Sequence, residues 1–127
     1  MGYDITVERV YDEVRGDRPP GALFLVDRLW PRGVRKSALE GVPWVKEAGP
    51  STELRTWFGH DPARFEEFAR RYRAELADRP RALEPILEAA RRGPVTLLYS
   101  ARDEEHNQAV VLRDHLLELL SSQVGGN

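Results

Sequence analysis

The sequence predicts an α/β fold: a small, mostly parallel sheet of about three to four strands, flanked by about four helices in a three-layer sandwich. Three observations carry this. Ala22–Val26 and Pro94–Tyr99 are short, nearly continuous apolar runs bounded by turn residues, the pattern of strands covered on both faces. The chain between them carries apolar residues at three- and four-residue steps, the period of helices. Helices between two strands imply a crossover connection, which sets those strands parallel. With 127 residues the chain has room for one core, and the expected division is a domain over residues 1–120 and a loose tail over 121–127.

The elements follow in order. Asp4 to Val10 places Ile5, Val7 and Val10 among polar residues and reads as a half-buried strand. Arg15 to Gly21 is a loop by its Gly and Pro content. After the Ala22–Val26 strand the chain turns polar and basic. Ser37 and Glu40 have capping-box spacing, but Gly41 and Pro43 limit any helix there. Ser51 or Thr52 can cap a short helix ending at Phe58, with Gly59 as its stop. Asp61-Pro62 starts the next helix, an N-cap carboxylate before a proline at the first helical position. That helix runs to about Ala77, with Phe65, Phe68, Tyr72 and Leu76 on one stripe. A further helix spans Pro80 to Arg92, with Leu83, Ile86, Leu87 and Ala90 inward and Gly93 after it. Asp103 is expected to cap the last helix, which carries Ala109, Val110, Leu112, Leu116, Leu117 and Leu120.

Composition excludes several function classes. There is no cysteine, so a disulfide scaffold, a thiolate metal site and a cysteine nucleophile are all excluded. No apolar run approaches the ~20 residues of a membrane-spanning helix. The N-terminal stretch lacks an apolar h-region, and the expected location is the cytoplasm. A formal net charge of −2 disfavours broad affinity for a nucleic acid backbone. The 17 arginines against 2 lysines are an ordinary result of GC-rich coding.

In open α/β sheets ligands bind off the carboxyl ends of the strands, and two strands here end in polar sequence. The first continues as Asp27-Arg-Leu-Trp-Pro-Arg-Gly33 and then Arg35-Lys36. Arg28, Arg32, Arg35 and Lys36 surround Trp30 with no acid among residues 28–36. Basic residues around an aromatic can clamp a phosphate or stack a base; the plain alternative is a solvated loop plugged by Trp30 and Pro31. The second continues as Ser100-Ala-Arg102-Asp103-Glu-Glu-His106-Asn107. There Ser100 can donate a hydroxyl and Arg102 a guanidinium fork to an anion near a helix start; the alternative is that Asp103 only caps and Arg102 only pairs with a carboxylate. If the strands are neighbours, both clusters share one rim.

The three histidines are His60, His106 and His115. His60 lies on a turn between helices. His106 is expected in the first turn of the last helix, about half a turn round from His115, so those two face apart. Asp27, His60 and His106 are the candidate catalytic residues, Asp27 as base or metal ligand and the histidines as acid/base groups. Arg28, Trp30, Arg32, Ser100, Arg102 and Asn107 are the candidate ligand-binding residues. No histidine or acid spacing specifies a metal, and no motif specifies a cofactor or an oligomeric state. Leu-Tyr-Ser100-Ala-Arg lacks the glycines of a nucleophile elbow.

At these clusters the sequence resembles the YeaO-like branch of the domain of unknown function 488, a family of small bacterial proteins. The resemblance rests on Arg9-Val-Tyr-Asp12, Val26-Asp-Arg-Leu-Trp-Pro-Arg-Gly33, Leu54-Arg55, Trp57-Phe-Gly-His-Asp61, Arg71-Tyr-Arg73, Leu97-Leu-Tyr-Ser-Ala-Arg-Asp103 and His106-Asn107. It covers about residues 5–118. It implies a compact α/β domain and brings no reaction with it. A longer branch carries cysteines and a Cys-His-Arg element at the last strand–helix junction, where this chain has Ser100 and Glu105-His106-Asn107. Thiol chemistry therefore does not transfer. The favoured reading is a rim site for an anionic small molecule such as phosphate or a nucleotide, with phosphoester or glycosidic-type hydrolysis as the reaction to test. The rival readings are a nucleic-acid or modified-base module and a partner-binding or structural domain.

Overall fold

A computed structural model describes residues 2–13 and 18–125. Among them three strands form one parallel sheet: β1 (Ile5–Arg9), β2 (Ala22–Leu25) and β3 (Val95–Tyr99), in the order β1-β3-β2. Ile5 pairs with Val95 on one side of the central strand, and Ala22 pairs with the same residue on the other. All three strands therefore end at one edge. A single bridging residue, Trp44, extends the sheet beyond β2 through Leu25.

The alternation within β3 builds two cores, as a strand buried on both faces must. Val95, Leu97 and Tyr99 face the larger core with Phe24 and Val26. That face is covered by α2 (Thr52–Phe58), α3 (Phe65–Ala77), α4 (Pro80–Arg92) and α5 (Gln108–Gly125). Leu98 faces the smaller core with Leu23, Leu25, Val10 and Leu39. The cover there is α1 (Val10–Glu13) and the 30–42 segment, through Tyr11, Trp30, Val34 and Val42. The third layer is thus made of one short helix and irregular chain.

Most helix ends obey the local signals. Ser51 Oγ accepts from the Leu54 amide at 3.1 Å, and Gly59 closes α2 in the left-handed region. Asp61 caps a 3₁₀ turn over Pro62–Arg64 that leads directly into α3. Four expectations need correction. Val10 is not the end of a strand but the start of α1, because its side chain is required in the smaller core. Ser37 lies inside a 3₁₀ turn over Lys36–Leu39 and makes no capping bond. Asp103 does not cap α5: its carboxylate closes a turn by accepting the Glu105 and His106 amides, both at 2.9 Å. The cap is Asn107, whose Oδ1 accepts from the Val110 amide at 3.1 Å, so His106 precedes α5 rather than lying in its first turn. At the other end α5 runs to Gly125; Gly126 and Asn127 of the expected tail lie outside the described residues, as do residue 14 and residues 15–17 of the expected loop.

Candidate functional site

The shared edge of β2 and β3 holds a cleft of about 230 Å³. Asp27 forms its floor, two residues beyond the buried end of β2, with 6% of its surface exposed. The parallel register sets Leu25 beside Leu98. It thereby brings Asp27, two residues further on, next to Ser100, two residues past Leu98. Ser100 donates its hydroxyl to Asp27 Oδ2 at 2.5 Å, and the Gln108 side-chain amide donates to Oδ1. Burial pushes the Asp27 carboxyl above its usual range; donors from Ser100 and Gln108 and the Arg55 charge pull the other way. Desolvation is the larger effect.

Around this floor the cleft is lined by Arg28, Trp30, Arg32, Arg55 and His60. Arg28 is engaged by the protein. Its guanidinium donates to the Gly49 and Pro50 carbonyls at 3.1 and 3.2 Å and lies 3.7 Å from the Glu47 carboxylate. It binds the 47–50 strap across the end of β2. Trp30 lines the cleft and is held in place by the protein. Its Nε1 donates to the Val34 carbonyl at 2.6 Å, and its ring meets the edge of Trp44 at 5.4 Å. Trp57, the other candidate for base stacking, has Arg71 and Arg64 over its ring at 4.3 and 5.4 Å. Arg32 is exposed, and among the described residues its side chain and that of Arg55 have no hydrogen-bonded acceptor. His60 stands exposed at the mouth on a backbone φ of 58°, rare for a residue other than glycine.

The structure separates the remaining candidates from this group. His106 Nδ1 lies 2.9 Å from Asp103 Oδ2, and its ring packs edge-on against Phe65 at 5.2 Å. It does not line the Asp27 cleft. Arg102 is exposed in a second cleft with Arg9, Tyr11 and Asp12, which meets the first only at Ser100. Asn107 is 1% exposed and holds the end of the loop, donating to the Asp103 carbonyl at 2.8 Å besides capping α5. Among the described residues no three His, Asp or Glu side chains come together as a metal site. Two polar lining residues, Arg55 and Gln108, were not among the candidates. Arg55 is part of the Leu54-Arg55 motif, which carries no signal tying it to the strand ends. Gln108 could have been found only by starting α5 at Asn107.

The sequence pattern of the inactive DUF488-N3 subclade matches residues 4–127. The chain belongs to that family. It is 41% identical over 116 residues to the uncharacterized protein YeaO of Escherichia coli, covering 91% of this chain and 99% of that one. It is also 41% identical over 108 residues to the uncharacterized protein Rv3073c of Mycobacterium tuberculosis, covering 85% and 89%. No solved structure matches. Nearly all of the DUF488-N3 match is the folded unit described above, including both strand ends of the cleft. No described helix is long and apolar enough to cross a membrane.

Proposed function

We infer that this DUF488-N3 protein is a non-catalytic binding domain for a small anion, held at the carboxyl ends of β2 and β3. The carrying observation is the convergence of Arg28, Arg32 and Arg55 on one cleft whose lining holds a single carboxylate, Asp27. Arg28 is engaged with the strap, which leaves the Arg55 and Arg32 guanidinium groups for a ligand. Their planar forks suit a carboxylate or phosphate. His60 adds a ring nitrogen at the mouth.

Binding without chemistry is the better-supported form of this reading. Both Asp27 oxygens already accept internal donors, and the Ser100 hydroxyl points its proton at that carboxylate. Among the described residues no histidine is hydrogen-bonded to Ser100, so a nucleophile–base pair of the hydrolytic kind has no support. The family's designation as inactive agrees. A nucleic-acid role has less support, since the Trp30 and Trp57 rings are engaged by other side chains.

A thermal-shift panel of phosphate, sulfate, adenosine monophosphate and a short single-stranded oligonucleotide, each at two salt concentrations, tests the reading. A small anion at 100 times its dissociation constant stabilises by ~2.7 kcal/mol, a shift of several degrees for a domain of this size. The expected result is such a shift with a small anion, reduced in Arg55→Gln. A shift confined to the oligonucleotide and falling steeply with salt would favour nucleic-acid binding. No shift with any anion would overturn the reading.

A further inference from the structure

We propose that the cleft selects a small hydroxylated anion, with its charged group at the mouth and its hydroxyls directed at the floor. The inference rests on the anion-binding reading above and adds the ligand's chemical class. The floor and the mouth of the cleft have opposite hydrogen-bonding character. At the mouth, Arg55 and Arg32 offer donors and positive charge, and His60 a ring nitrogen. At the floor, the groups left over are acceptors. Asp27 accepts from the Ser100 hydroxyl, the Gln108 amide and the Ser100 backbone N–H, and a carboxylate has about four lone-pair positions, so about one is left. The Ser100 hydroxyl, having given its proton to Asp27, presents its own lone pairs. Gln108 donates through Nε2, which turns its Oε1 into a further acceptor with no donor among the described residues. A bare phosphate oxygen pushed onto this floor meets lone pair against lone pair. A hydroxyl meets acceptors.

Size narrows the class further. A volume of about 230 Å³ is that of roughly seven or eight waters at ~30 Å³ each. That accommodates a phosphate or carboxylate on a two- or three-carbon polyol.

The test compares glycerol 3-phosphate with propyl phosphate, which carry the same anionic group and differ in their hydroxyls. Calorimetric titration of wild-type protein should give about tenfold or more tighter binding of glycerol 3-phosphate, the effect of one hydrogen bond to a charged or charge-polarised acceptor. Ser100→Ala should shrink that ratio while leaving propyl phosphate within about twofold. Arg55→Gln should weaken both ligands. Should Ser100→Ala fail to fold, the wild-type ratio still decides, and Gln108→Leu provides the second variant. Equal binding of the two phosphates, or tighter propyl phosphate, overturns the selection for hydroxyls and leaves anion binding standing. Binding of neither overturns both.

Discussion

Replacing Gly49 with alanine tests how the cleft is held. Gly49 is the point where the 47–50 strap passes over the end of β2. A Cβ built there lies 2.8 Å from the Arg28 amide nitrogen, 3.1 Å from the Val26 carbonyl oxygen and 3.2 Å from Arg28 Cα. All three are backbone atoms, so no side chain can swing aside. The strap cannot retreat freely either. Arg28 grips the Gly49 and Pro50 carbonyls, and the buried Tyr72 hydroxyl donates to the Ala48 carbonyl. The backbone at Gly49 has φ −80° and ψ 161°, open to any residue, so the penalty is purely steric. Overpacking of this kind costs about 1–3 kcal/mol, or about 4–12 °C in Tm at roughly 4 °C per kcal/mol. Gly93 is the control: it is extended, and a Cβ there meets nothing within 4 Å. Urea and thermal unfolding of both variants measure the difference. Gly49→Ala should be clearly destabilised, and Gly93→Ala neutral or slightly stabilised by ~0.4–1 kcal/mol through the unfolded chain. A Gly49→Ala protein within about 0.5 kcal/mol of wild type would refute the strap's close contact.

Other outcomes follow from the same geometry. Asn107→Ala removes the cap of α5 and should cost about 1–2 kcal/mol in urea unfolding. Tyr72→Phe leaves the buried Ala48 carbonyl without its donor and should cost about 1–3 kcal/mol by the same measurement. Asp27 has a folded pKa raised by burial, so the folded state holds its proton more tightly than the unfolded chain. Its contribution is stabilising below the unfolded value of ~3.9 and is lost as pH rises through the folded value. Asp27→Asn should therefore flatten the fall of stability with pH above about 4, seen as urea midpoints across a pH series; an unchanged slope would show that Asp27 is not the group responsible.

The sheet was legible because buried strands write themselves plainly. Ala22–Val26 and Pro94–Tyr99 are apolar on both faces, and the parallel inference that joined them also placed Asp27 and Ser100 on one rim. Helix stripes such as Phe65, Phe68, Tyr72 and Leu76 were equally direct. The junction before α5 was not, because Asp103 and Asn107 are both N-cap residues four positions apart. Only the fold shows that Asp103 closes the turn and Asn107 starts the helix. That displacement carried His106 away from Asp27 and hid Gln108. The roles of the arginines were also illegible. Arg28, Arg32 and Arg55 are chemically identical in sequence, and only the 47–50 strap distinguishes the engaged Arg28 from the others. The contacts of Trp30 with Trp44 and Val34 were likewise illegible in the sequence.

The most direct measurement is a calorimetric titration of glycerol 3-phosphate into wild-type protein and into Arg55→Gln at neutral pH. Arg55 lines the cleft without a side-chain acceptor of its own among the described residues, so its loss removes a ligand contact while breaking no hydrogen bond of the fold. Saturable binding at one site in the wild type, weakened about tenfold or more in a normally folded Arg55→Gln variant, is the predicted result. Equal affinity in the two proteins, or no heat of binding in the wild type, would contradict an anion site at the carboxyl ends of β2 and β3.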